Sequence, residues 1–218
     1  MKKYLALVTA VLLASTAIAQ AGDGVQRNNR VVFRGNFVGL TKSRGGETFT
    51  DTLGTGGENN DGKTGFGVSA ALDLGMMEPG TILGVASIMG GVSVDFARFS
   101  RKSVRQATSF LVGGAGGSVN SNVNVTELNV GVAPKLRFDN MGKFQPYLMP
   151  VGLAFLVISP PSNDTTYLDL GLNFGAGFDY RLLDWLSVGI DGKYTHSFDM
   201  THSESAYYTV GAGVGVHF

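Results

Sequence analysis

Leu168-Asp169-Leu170-Gly171-Leu172-Asn173-Phe174-Gly175-Ala176-Gly177-Phe178-Asp179-Tyr180-Arg181-Leu182 alternates without a break. Every even position is large or apolar, and the odd positions are Asp, Gly, Asn, Gly, Gly, Asp and Arg. A period of two is the signature of a β-strand with two unlike faces. The run is 15 residues long, beyond the usual strand of about 5–6 residues in a globular protein. A tilted strand crossing a bilayer needs about 9–11 residues in the hydrocarbon, which this run supplies with margin.

The same pattern recurs on both sides of it. Phe66, Val68, Ala70, Leu72 and Leu74 oppose Gly67, Ser69, Ala71 and Asp73. Leu128, Val130, Val132, Leu136 and Phe138 oppose Glu127, Asn129, Lys135 and Arg137. Leu186, Val188, Ile190 and Tyr194 oppose Ser187, Asp191 and Lys193. The final stretch sets Tyr208, Val210, Ala212, Val214, Val216 and Phe218 against Thr209, Gly211, Gly213, Gly215 and His217. Less regular strands are predicted over 31–41, where Phe33 and Phe37 oppose Arg34 and Asn36, and over 82–96. Residues 144–158 are apolar on both faces and carry Pro146 and Pro150, so their phase stays open.

Eight strands is the most economical count, and the connections support it. Residues 42–63, 76–81, 97–122, 139–143, 159–166, 183–185 and 198–205 run long, short, long, short, medium, short, medium. Such alternation is expected of an all-β, transmembrane, antiparallel up-and-down barrel with both termini periplasmic. Glu78-Pro79-Gly80 and the Asn140–Gly142 region supply turn chemistry. Closure pairs every backbone group, as hydrocarbon demands. Thr108–Val112 could extend a hairpin above the membrane; ten strands would need a further one from the polar, Gly-rich 42–63.

Composition fits. Of 218 residues, 32 are Gly, six are Pro and none is Cys, and 16% are charged. The absence of cysteine excludes disulfide scaffolds, iron–sulfur clusters and thiol catalysis. Three histidines argue against a His-rich metal centre, and no cofactor is expected. At the N-terminus, Lys2 and Lys3, the apolar Tyr4–Leu13 and Ala17-Ile18-Ala19 form the n-region, core and cleavage site of a signal peptide over 1–19. A short periplasmic segment over 20–30 would follow, then the barrel over 31–218. Removing Lys2 and Lys3 leaves 15 basic and 17 acidic residues, a balance of −2. Nucleic acid is an improbable partner for such an exported chain.

Phe144-Gln145-Pro146-Tyr147, the Gly175–Leu182 run, Asp191-Gly192-Lys193-Tyr194 and the terminal Val214-Gly215-Val216-His217-Phe218 resemble the small Gram-negative outer-membrane barrels, including the OmpA-type, OmpX-type and OmpW groups. The resemblance implies an outer-membrane location, contact with outer-membrane lipids and lipopolysaccharide, and escort by periplasmic chaperones. It also implies Phe218 as the signal read by the outer-membrane assembly machinery. A monomer is expected. OmpW membership would imply transport of small hydrophobic solutes by a lateral route.

On this phase Arg34, Asp73, Glu127, Lys135, Arg137, Asp169, Asp179, Arg181, Asp191 and Lys193 face inward, five acidic and five basic. The interior of an eight-stranded barrel is just wide enough for side chains to fill. Buried ions must pair, so the balance points to an ion-pair network more than to a selective pore. A structural or surface-interaction barrel with a packed or very narrow lumen is therefore the leading expectation, and no enzyme. Arg98, Arg101, Lys102 and Arg105 form a basic cluster in the third loop that suits a polyanion such as lipopolysaccharide phosphate. A lipid A-modifying acyl hydrolase would need Ser and His on one face. His196-Ser197 and His202-Ser203 are adjacent pairs, which a strand sends to opposite faces.

Overall fold

The computed structural model describes residues 29–41, 63–99, 102–105, 120–123, 126–159, 167–198 and 205–218. Eight antiparallel strands close on themselves. These are β1 (Arg30–Leu40), β2 (Thr64–Gly75), β3 (Ala86–Phe99), β6 (Thr126–Phe138), β7 (Phe144–Ser159), β8 (Tyr167–Leu183), β9 (Leu186–Ser197) and β10 (Tyr207–His217). Around the barrel the order is β1-β10-β9-β8-β7-β6-β3-β2, and β1 pairs with both β2 and β10. A small hairpin of β4 (Lys102–Arg105) and β5 (Asn120–Val123) forms a separate two-stranded sheet between β3 and β6. Thr108–Val112 lies outside the described residues. The eight-stranded closed barrel expected from the alternation is the observed architecture.

Burial alternates with the pleat. On β8 Asp169, Gly171, Asn173 and Asp179 are buried, while Leu168, Leu170, Phe174, Phe178 and Tyr180 are exposed on the outer wall. Because the apolar residues face out, the chain is inside-out relative to a water-soluble fold, and its outer wall fits hydrocarbon. Arg30 sits opposite His217, and Phe218 N donates to Asn29 O at 3.0 Å. Both ends of the barrel segment therefore meet at the rim that carries the β2–β3, β6–β7 and β8–β9 connections, termed the turn end below; the opposite rim is the loop end.

Strand ends and the phase of one strand differ from the sequence reading. β1 starts at Arg30, which the sequence placed in the leading segment 20–30. β3 spans Ala86–Phe99 instead of 82–96. Ile82 to Val85 are taken up by a turn, closed by Val85 N to Ile82 O at 3.0 Å and an isolated bridge from Ile82 to Ala86. At the other end β3 continues through Arg98, which pairs with Thr126 and Phe66, so Arg98 belongs to the wall and not to the loop. Finally, β7 changes phase. Its pairing with β8 shifts between Met149 and Gly152, and Pro150 and Val151 are both exposed. Gln145, Tyr147 and Met149 are buried before this irregularity, and Gly152, Ala154, Leu156 and Ile158 after it. One extra residue at a bulge moves every later side chain to the other face. Proline, which has no N–H for the ladder, is at home there.

Candidate functional site: the filled lumen

All ten charged residues expected inside the barrel are on inward-facing positions of their strands. At the turn end, Asp73 accepts from Arg30 Nε at 2.9 Å and from Lys135 Nζ at 2.7 Å. Arg30 also pairs with Asp179 across the barrel. Arg137 donates to Asp139 at 2.6 Å and lies against Ser87 and the Met89 sulfur. These strands are far apart in sequence; barrel closure is what brings their carboxylates and cations together.

One layer further in, Arg34 Nε lies 3.1 Å from Asp191, whose other contact is the Tyr147 hydroxyl, donating at 3.1 Å. Arg34 Nη2 donates to the same hydroxyl at 3.2 Å. Lys193 Nζ meets Asp95 at 2.5 Å. The Tyr147 ring joins the two layers, with the Arg30 guanidinium 5.2 Å and the Lys135 ammonium 5.4 Å from its centroid. A π face is a favourable neighbour for a cation, more so when water is excluded.

Glycines make room for this network. A Cβ on Gly177 would stand 2.8 Å from the Tyr147 hydroxyl, and one on Gly91 would stand 2.8 Å from an Asp73 carboxylate oxygen and 3.0 Å from Lys135 Cε. Both glycines leave space for a long or branched side chain from a neighbouring strand.

Towards the loop end the network continues through amide, hydroxyl and carboxylate groups. Asn129 Nδ2 donates to Asn173 Oδ1 at 3.2 Å and to the Tyr207 hydroxyl at 3.0 Å, and Thr195 donates to Asn173 at 2.8 Å. Glu127 accepts from Ser205 at 2.8 Å, and Asp169 accepts from Ser197. Above them Val38, Leu40, Ala97, Phe99 and Tyr207 form an apolar cluster, with the Phe99 and Tyr207 rings edge-on at 6.0 Å. Leu156 and Ile158, in the loop-end half of β7, are also inward-facing and buried.

What remains open between the layers is a chamber of about 40 Å³ touched by Arg34, Asp95, Tyr147, Met149, Asp191 and Lys193. At about 10–15 Å³ per water it has room for roughly three water molecules. Ala176 and Gly192 also line it, although both belong to the outward-facing phase of β8 and β9, where they pair in register. There the wall is only a backbone thick.

A Ser–His contact does exist, and it involves residues that are not neighbours in sequence. His217 Nε2 is 2.8 Å from Ser187 Oγ, and Arg181 Nη2 is 3.3 Å from His217 Nδ1. A guanidinium only donates, so Nδ1 is the acceptor and Nε2 carries the proton. His217 therefore donates to Ser187, the reverse of what a general base must do to a serine nucleophile. His196 is exposed on the outer wall beside Tyr194 and Phe198, while Ser197 is buried on Asp169, so this adjacent pair does point apart. His202 and Ser203 lie outside the described residues, as does Arg101; Lys102 and Arg105 are on the backbone of β4. Among the described residues, no group of His, Cys, Asp and Glu is arranged to hold a metal ion.

Arg30, Asp95 and Tyr147 take part in the ion-pair layers and stand outside the ten residues expected from the sequence. Asp95 was legible, since it alternates with Val94 and Phe96. Arg30 was cut off by a strand boundary, and Tyr147 was hidden by the double-apolar stretch around the bulge.

Residues 6–218 match the family of the outer membrane protein beta-barrel domain. Among solved structures, the outer membrane protein OprG from Pseudomonas aeruginosa is similar at a TM-score of 0.58 and 12% identity, over 89% of this chain and 98% of that one. Neisserial surface protein A is similar at a TM-score of 0.52 and 12% identity, over 88% of this chain and 97% of that one. At such identities the likeness concerns the fold alone. No curated protein matches the chain.

Proposed function

From the premise that this chain belongs to the outer membrane protein beta-barrel domain family, we propose that it is an outer-membrane barrel with a closed lumen, acting through its surface and not as a conduit. The carrying observation is that two unlike seals are stacked in one lumen. A turn-end layer of ion pairs centred on Asp73 is followed by an apolar layer of Val38, Leu40, Phe99 and Tyr207. A polar solute is opposed by the second seal and an apolar one by the first.

Under this reading the N-terminal 19 residues export the chain to the periplasm of a Gram-negative cell. Both termini face the periplasm, Phe218 presents the assembly signal, and the barrel works as a monomer. The loop end then faces outward. Arg98 is exposed on the outer wall near that end, and with Arg101, Lys102 and Arg105 it would supply four bases for the phosphates of lipopolysaccharide. Exposed Arg on a membrane surface attracts anionic headgroups within a screening length. The test is lipopolysaccharide binding by the folded protein with all four bases changed to Gln. Binding is expected to weaken and to lose salt dependence; unchanged binding rejects the contact.

A second reading is favoured by one observation. The chamber reaches Ala176 and Gly192, where no bulky side chain covers the wall. A small apolar solute entering sideways there would make the protein a lateral transporter. Gly192→Leu with Ala176→Leu separates the two readings. Uptake by cells carrying the unmutated protein that exceeds that of cells lacking it, and is lost in the variant, supports the lateral route, whereas uptake with the unmutated protein equal to that of cells lacking it supports the closed barrel.

A further inference from the structure

The connection between β2 and β3 is out of keeping with its position. The turns joining β6 to β7 and β8 to β9 are short, yet Met76–Val85 takes ten residues at the same rim. Its fold is defined. Thr81 N donates to Glu78 O at 3.2 Å, and Val85 N to Ile82 O at 3.0 Å. The Asp139 carboxylate accepts from Gly80 N at 3.0 Å, and Asp139 N donates to Val85 O at 2.8 Å, tying it to the neighbouring turn.

The tip Ile82-Leu83-Gly84-Val85 has positive φ at both central residues, 52° at Leu83 and 73° at Gly84. That is a type I′ turn, for which Asn, Asp and Gly are the suited residues. Leucine there is strained by its Cβ, and its side chain is 91% exposed. Neither backbone preference nor water solubility accounts for it. Strain at an exposed position points to an interaction outside the chain.

The surroundings say what kind. Met76, Met77 and Val85 of the same turn are exposed, as are Met141 and Trp185 of the neighbouring turns. Met76 folds back on the outer wall, where its Sδ would lie 3.3 Å from a Cβ on Gly90. The apolar turn is thus continuous with the lipid-facing surface of β3. Trp is a residue of the boundary between headgroups and acyl chains.

We propose that the Met76–Val85 turn is a membrane anchor, with Leu83 inserted at the headgroup–acyl boundary of the leaflet at the turn end. The occupant of the apolar tip is lipid. This rests on the reading of the barrel as membrane-spanning, and the experiment tells the two apart. Because the chain has no cysteine, Leu83→Cys, Glu78→Cys and Val214→Cys can each carry a single NBD fluorophore. The folded proteins are placed in phosphatidylcholine vesicles, with 5-doxyl lipid or aqueous iodide as quencher.

Labels at positions 83 and 214 are expected to be quenched severalfold more by doxyl lipid than by iodide, and the label at 78 the reverse. Iodide quenching at 83 with lipid quenching at 214 overturns the anchor and leaves the membrane reading intact. Shielding of position 83 from both quenchers also overturns it, in favour of a protein partner or a second copy. Iodide quenching at 214 overturns both.

Discussion

Removal of the Asp73 carboxylate is the sharpest perturbation of the lumen. Asp73 and Arg30 are both 0% exposed, and Asp73 holds two cations at once, Arg30 at 2.9 Å and Lys135 at 2.7 Å. In Asp73→Asn the amide keeps the shape but not the charge. Arg30 retains Asp179, whereas Lys135 keeps no ion-pair partner among the described contacts. Losing two charge-assisted hydrogen bonds at about 1.5–3 kcal/mol each gives about 3–6 kcal/mol. Breaking a buried pair by removing one partner costs about 3–5 kcal/mol, which agrees. Lys135→Met is the contrasting variant, because it leaves Asp73 on Arg30 and inserts a side chain of similar length. Its cost is expected to be at most about half as large, since one charged contact at about 1.5–3 kcal/mol is lost and a desolvated ammonium is relieved. The double variant is expected to be more stable than Asp73→Asn alone, because the orphaned ammonium is gone. Urea unfolding of the barrel in lipid vesicles, followed by tryptophan emission from Trp185 and by the gel shift between folded and unfolded forms, measures all three. If Asp73→Asn costs less than about 1 kcal/mol, the value of an exposed pair, the turn-end ions are hydrated and the lumen is not sealed.

The outer wall answers to a different rule. Val188→Arg, on the exposed face of β9, is expected to cost about 2–4 kcal/mol in vesicles if that position is near the bilayer midplane. Val188→Arg should cost little in detergent, and equal effects in the two media would deny lipid contact. Gly177→Leu drives a side chain into the Tyr147 hydroxyl, 2.8 Å from where a Cβ would stand. Overpacking of about 1–3 kcal/mol is expected from the same unfolding assay. For the Ser187–His217 contact, lipid A from cells expressing the protein should keep every acyl chain by mass spectrometry. A missing chain that Ser187→Ala restores would refute the proton assignment at His217.

The stretch over 168–182 carried most of the fold because barrel physics is local along a strand. Each residue either faces lipid or faces the lumen, and Leu168–Leu182 states that choice residue by residue. The same locality put Arg34, Asp73, Asp179 and Asp191 inside without any knowledge of their partners. Which cation meets which carboxylate was not legible. Pairing across the barrel depends on strand tilt and stagger, and alternation is silent about both. β7 shows the other limit. Its lower half packs Tyr147 and Met149 inward and its upper half Leu156 and Ile158, so the inner face is apolar where a polar lining is the rule. Inner and outer faces then read alike, and a bulge at Pro150–Val151 exchanges them midway. Arg98 was misplaced for a related reason: a positive charge ends an apolar run in sequence, although near the end of a membrane strand its side chain can reach the headgroup level.

Closure of the lumen is the central claim, and ion conductance through the purified, folded barrel in a planar bilayer tests it most directly. With Asp73 sealed between Arg30 and Lys135 and with Phe99 and Tyr207 packed above, no discrete conductance steps are expected beyond those of the protein-free bilayer. Reproducible ohmic steps that disappear when Gly177 or Gly91 is filled by a larger residue would contradict it, since they would mean that ions pass through the very layers held here to be closed.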